Sequence, residues 1–139
     1  MRLLMAVCLV SFGLSFAASD EETFKARLST VAIDLSMRAN VAGTGSVTAR
    51  LMGNKLSIAG SFEGLRTPAT VARMHVGRVT GVRGPAIFDL TISAATSGTV
   101  SGAVDLTAEQ IDSLKKGRLY VQLCSEKAPD GNLWGWLLR

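Results

Sequence analysis

Apolar residues that alternate with polar ones, run after run, constrain this chain more than any other feature. Phe24, Ala26 and Leu28 alternate with Lys25, Arg27 and Ser29. Val47, Ala49 and Leu51 form a second such face, and Leu56, Ile58, Gly60 and Phe62 a third. Ala72, Met74 and Val76 follow, then Phe88, Leu90 and Ile92, then Val100, Gly102, Val104 and Leu106. Leu119, Val121 and Leu123 come next, and Leu133 to Leu138 closes the series. Only a β-strand puts residues i, i+2 and i+4 on one face, so each run predicts a half-buried strand.

Turn signals separate the runs at roughly 8 to 15 residues, the spacing of an all-β domain. Gly53-Asn54 between two alternating runs predicts a hairpin. Gly43-Thr44-Gly45, Glu63 to Thr70, Thr96 to Thr99 and Pro129-Asp130-Gly131 mark the other reversals. Val31, Ile33, Leu35 and Met37 also alternate, and predict either a short strand or an ordered connection. One helix signal interrupts the pattern. Thr107 is an N-cap with Gln110 at the capping-box position, Lys115 and Lys116 suit the C-terminal end, and Gly117 stops the helix. The expected fold is therefore an all-β antiparallel β-sandwich or partly open barrel of about eight strands with one short helix at 107–116. Roughly 120 residues build one such domain, at 19–139.

The first residues read as something else. Arg2 precedes an apolar run from Leu3 to Leu14, and Ser15-Phe16-Ala17 fits a small-x-small cleavage site. Residues 1–18 are therefore expected to be a signal peptide and the protein to be secreted or periplasmic. The run is shorter than the ~20 apolar residues a spanning helix needs, so no membrane span is expected after cleavage. Of 15 basic residues, cleavage removes Arg2 and leaves 14 against 11 acidic ones, a net charge of +3. That is too mild to imply nucleic acid. Cleavage also removes Cys8, which leaves Cys124 as the single cysteine and rules out an internal disulfide.

The stretch from Val71 to Pro85 stands apart. Its strand carries Arg73 and His75 on one face, and its loop carries Gly77, Arg78, Gly81, Arg83, Gly84 and Pro85. No acid falls between Glu63 and Asp89, whereas Arg66, Arg73, Arg78 and Arg83 do. Glycine-rich backbone with arginines can bind phosphate, sulfate or an anionic glycan; the ordinary alternative is a solvated loop. It is not a P-loop, because no Gly-Lys-Ser/Thr follows.

The order of motifs resembles the CHRD domain, a family named from chordin. Carrying the resemblance are Gly43-Thr44-Gly45, Gly53-Asn54, Pro68-Ala69-Thr70, Ala72-Arg73-Met74-His75-Val76-Gly77 and Gly84-Pro85. Leu106-Thr107-Ala108-Glu109-Gln110, Tyr120-Val121-Gln122-Leu123-Cys124-Ser125 and Pro129-Asp130-Gly131 continue it. The resemblance spans Phe24 to Leu138 and implies an extracellular β-sandwich-like module with no established enzymatic activity. This chain departs from the family at three places. The family's Ala-His-Ile-His is Ala72-Arg73-Met74-His75 here, its Asn-Ile-His-Thr is Gln122-Leu123-Cys124-Ser125, and its Gly-Glu-Ile-Arg-Gly-Gln is Gly131-Asn132-Leu133-Trp134-Gly135-Trp136.

Strand parity puts these departures on one set of faces. Arg73 pairs with His75, Gln122 with Cys124, and Asn132 with Trp134 and Trp136, all opposite the core-like residues. If the three strands meet, the exceptional residues meet. His75 and Cys124 are acceptable metal ligands, but a closed site needs four and the sequence nominates two. A Cys124 nucleophile would need His75 as base and an orienting group such as Gln122. Asp89, Asp105, Glu109 and Asp112 form no carboxylate pair. Trp134 and Trp136 are either a stacking platform for a sugar or protein partner, if exposed, or core filler, if buried. The expectation is a binding or structural module that uses Arg73, His75, Arg78, Arg83, Gln122, Cys124, Trp134 and Trp136 toward an unknown protein or glycan. No cofactor is expected; the alternative is a metal-binding or redox protein built on His75 and Cys124.

Overall fold

A computed structural model describes residues 21–31 and 34–139. The leader reading of residues 1–18 and the inward placement of Ile33 lie outside the described residues. The strands are β1 (Glu21–Thr30), β2 (Thr44–Met52), β3 (Lys55–Glu63), β4 (Ala69–Val76), β5 (Ala86–Ile92), β6 (Gly98–Asp105), β7 (Leu119–Ser125) and β8 (Ala128–Trp136). The helix α1 (Ala108–Lys115) lies between β6 and β7.

All strand pairs are antiparallel, and the order β1-β2-β3-β6-β5-β4-β7-β8 closes on itself as a barrel. Two seams are thin. β5 meets β6 only through Thr91–Ser101 and Ile92–Val100, and β1 meets β8 only through Ser29–Trp134 and Thr30–Leu133. The barrel is therefore two sheets joined edge to edge, which satisfies both forms of the sequence expectation. Closure matters physically because it leaves no open sheet edge for another chain to extend.

The alternating faces form the interior. Phe24, Leu28, Val47, Leu56, Met74, Leu119, Val121, Leu123 and Leu133 are at most 1% exposed. Leu106 and Leu114 bring α1 into the same core. The helix carries its capping box, with Gln110 N donating to Thr107 Oγ1 at 3.2 Å and Thr107 N to Gln110 Oε1 at 2.9 Å. The two-residue β2–β3 turn holds Gly53 at φ +61, as a II′ hairpin requires at its first central residue.

Three local readings are sharpened or corrected. Of the two expectations for the stretch after β1, the described residues bear out the connection: Val31 is buried, Leu35 is 84% exposed and residues 35–40 are turns. Thr44 and Gly45 already belong to β2, which leaves Gly43 at φ +112 as the turn residue. Pro129-Asp130-Gly131 does not reverse the chain. The reversal lies at Glu126–Lys127, where Ser125 pairs with Ala128, and the register shifts before Leu123 pairs with Leu133. Pro129 to Asn132 therefore forms a bulge within β8, which re-aims its side chains.

Candidate functional site

Registers across β4, β7 and β8 set the outward residues in rows. His75 lies beside Tyr120, which lies beside Trp136. Arg73 lies beside Gln122, which lies beside Trp134. The sequence expects β7 to pair with β4 or β8; it pairs with both and sits between them.

The outer face of a barrel strand ordinarily meets water. Here every residue of β7 is buried on both faces. Tyr120 is 1% exposed, although its parity points it outward. Its ring stacks on His75 at 4.8 Å between centroids and tilts against Trp136 at 4.2 Å. Trp134 meets both Tyr120 and Trp136 at 6.0 Å, edge to face. Sequence reasoning passed over Tyr120, and its register opposite His75 is the signal that singles it out.

Two loops wall the cluster. The loop 77–85 comes down on Tyr120. Gly84 N donates to the Tyr120 hydroxyl at 3.0 Å, and that hydroxyl donates to Gly84 O at 3.1 Å. His75 Nδ1 reaches the same carbonyl at 2.9 Å. A carbonyl only accepts, so Nδ1 carries a proton. Glycine is required at 84, since a Cβ there would stand 1.7 Å from Val76 O. The other wall is the segment after β1, where Val31 and Val41 join Ala128 of β8 in packing against Trp134. Asn132, fully buried, fastens this wall. Its Oδ1 accepts from Ala42 N at 3.1 Å and its Nδ2 donates to Ser125 Oγ at 2.9 Å.

The expected site residues thus fall into three groups. His75, Trp134 and Trp136 converge and remain half-buried. Arg73 and Arg83 form an exposed rim. Arg73 pairs with Asp89 at 2.9 Å, while the Arg83 guanidinium lies 5.1 Å over the Trp134 ring and donates to Asp130 O at 3.3 Å. Gln122 and Cys124 are 8% and 6% exposed, so they lie under the face and cannot be contact residues there. Gln122 Nε2 instead donates to Asp130 O at 3.4 Å and holds the β8 bulge. Arg78 lines a separate groove with Arg118.

The paired use of His75 and Cys124 does not fit the register. Cys124 stands opposite Val71, and His75 opposite Tyr120. Four residues of strand, about 13 Å at 3.3 Å each, separate the two rows, too far to share a metal ion or a proton. Burial also pushes the Cys124 thiol above its ordinary value, against the opposing hydrogen bond from Gln122. A neutral buried thiol is a poor nucleophile. Among the described residues no three His, Cys, Asp or Glu side chains form a metal-holding group.

No curated protein and no solved structure matches the chain. The family model described as the CHRD domain matches residues 24–137, almost all of the barrel. The chain therefore belongs to the CHRD domain family.

Proposed function

We propose that this protein is a non-catalytic binding module whose outer β4–β7–β8 face docks a protein partner over Trp134 and Trp136. One observation carries the reading. The barrel interior is filled by side chains, while the two tryptophans gather half-buried on the outside between two fastened loops. A tryptophan cluster with an arginine at its rim is the composition of an interface hot spot. Sugar stacking needs a free indole face. Arg83 already caps Trp134, and Trp136 leans on Tyr120, so a protein ligand is favoured over the glycan alternative.

Both tryptophans of the chain lie in this cluster, so intrinsic fluorescence reports on it alone. Position 73 is exposed at its rim and suits a photo-crosslinking residue. One partner should crosslink there, be lost in Trp136→Ala, and survive Ser57→Arg on the outer face of the opposite sheet. A fluorescence response to neutral oligosaccharides, with no protein crosslink, would establish the glycan reading instead. Crosslinking indifferent to Trp136→Ala would refute this face as the docking surface.

A further inference from the structure

Five of the fourteen basic side chains among the described residues are answered by acids. Arg50 pairs with Glu21, Arg73 with Asp89, Lys115 and Arg139 with Glu22, and Lys116 with Asp112. Three of the others gather in one place, at a groove of about 560 Å³ beside the loop 77–85. Arg78, Arg83 and Arg118 line it, with Gly77, Gly84 and Pro85 as its floor and wall. No carboxylate lines it, and among the described residues none of the three arginines has an acidic partner within salt-bridge distance. Asp112 feels the charge of Arg118, but its carboxylate is engaged by Lys116 at 2.8 Å.

The groove is also held in shape. Gly77 N donates to Arg118 O at 2.9 Å, which ties the loop's start to the strand entry that carries Arg118. Thr80 Oγ1 donates to Gly117 O at 2.7 Å, and the Tyr120 hydroxyl fixes Gly84. Fixing backbone before a ligand arrives reduces the ordering cost of binding. Like charges brought together without acids repel, and an anion placed among them relieves that repulsion. Arginine is suited to the task because its planar fork offers two parallel donors to an oxyanion.

We infer that this groove binds a tetrahedral oxyanion, a sulfate or phosphate group, through Arg78 and Arg118. Arg83, whose guanidinium rests on Trp134, forms the wall between this groove and the tryptophan cluster. A tetrahedral group offers three or more oxygens to the arginine forks, where a carboxylate offers two. The groove is larger than a bare ion, so the group can be free or can hang as an ester from a larger molecule. This inference does not depend on the protein-docking reading.

The test is an amide NMR titration of the full protein at low ionic strength with sodium sulfate, sodium phosphate and a sulfated disaccharide. Sodium chloride at matched ionic strength is the reference. Saturable shifts confined to residues 76–85 and 118 are expected with the oxyanions and not with chloride. Arg78→Gln and Arg118→Gln should each weaken the response by about tenfold or more, as for the loss of a charge-assisted contact. Arg66→Gln, at a loop arginine outside the groove, should leave it unchanged. Tighter binding of the disaccharide than of inorganic sulfate assigns the group to an ester; a response to the inorganic ions alone assigns it to the free anion. Shifts that match chloride, spread over the whole surface, or persist in both groove variants would overturn the site.

Discussion

Tyr120→Phe isolates the contact on which the outer cluster depends. The substitution keeps the ring, and so keeps the packing on His75 at 4.8 Å and on Trp136 at 4.2 Å. It removes one oxygen, which accepts from Gly84 N at 3.0 Å and donates to Gly84 O at 3.1 Å. The two losses are unequal. Gly84 O keeps His75 Nδ1 at 2.9 Å and stays satisfied. Gly84 N, partly buried, loses the acceptor it has in the structure. A fully buried orphaned donor costs about 1–3 kcal/mol and a partly buried one less, as does the lost bond to an acceptor that keeps another partner. Phenylalanine also sheds a hydroxyl that no longer needs solvating, so the net expectation is a loss of about 1–2 kcal/mol. Urea denaturation should show a lower midpoint at unchanged slope. Hydrogen exchange at the Gly84 amide should accelerate by at least as large a factor, because the loop opens more readily than the barrel. In a His75→Ala background the same substitution also strips the carbonyl of its second donor, so the double variant should lose more than the two single losses together. A loss below about 0.3 kcal/mol, with Gly84 protection unchanged, would refute the clamp, since that lies within the noise of surface substitutions.

Gly84→Ala should disrupt the same loop by collision, because the new Cβ would stand 1.7 Å from the Val76 carbonyl; a fully native exchange pattern around residues 76–85 would contradict this geometry. Cys124 should resist alkylation at neutral pH until the protein unfolds, because burial holds its thiol above the ordinary value near 9.0. The unfolded thiol ionises first, so the stability present below its pKa should decline as pH climbs toward the folded value, and Cys124→Ser should flatten that decline. Trp134→Ala removes a half-buried ring that packs against Val31, Val41 and Ala128, and should cost about 2–3 kcal/mol by calorimetry, below the range of a fully buried tryptophan. The export reading of residues 1–18 predicts that N-terminal sequencing of the mature protein begins within a residue or so of Ser19; an intact Met1 would refute it.

Much of this barrel is a local property of the chain. Alternation is local, so Phe24, Ala26 and Leu28, or Leu119, Val121 and Leu123, declare their inward face with no knowledge of their neighbours. The Gly53-Asn54 reversal and the Thr107–Gln110 capping box are equally local, and both stand in the structure. Parity also separates Arg73, His75, Trp134 and Trp136 from the core, because a one-residue slip would expose every leucine of β7. What parity does not carry is what lies above the outward face. Tyr120 alternates outward like an exposed residue and is buried because His75, Trp134 and Trp136 pack around it and Gly84, 36 residues away, folds over it. Gln122 is buried against the β8 bulge with Cys124 beside it, and His75 and Cys124 share a face yet stand four residues of strand apart. Arg83 meets Asp130 across 47 residues, and Arg118 joins Arg78 only because Gly77 hydrogen-bonds to the strand entry. A period of two fixes direction within a strand, whereas neighbours, covering loops and the charges they bring together depend on long-range closure. Only the tertiary structure decides those.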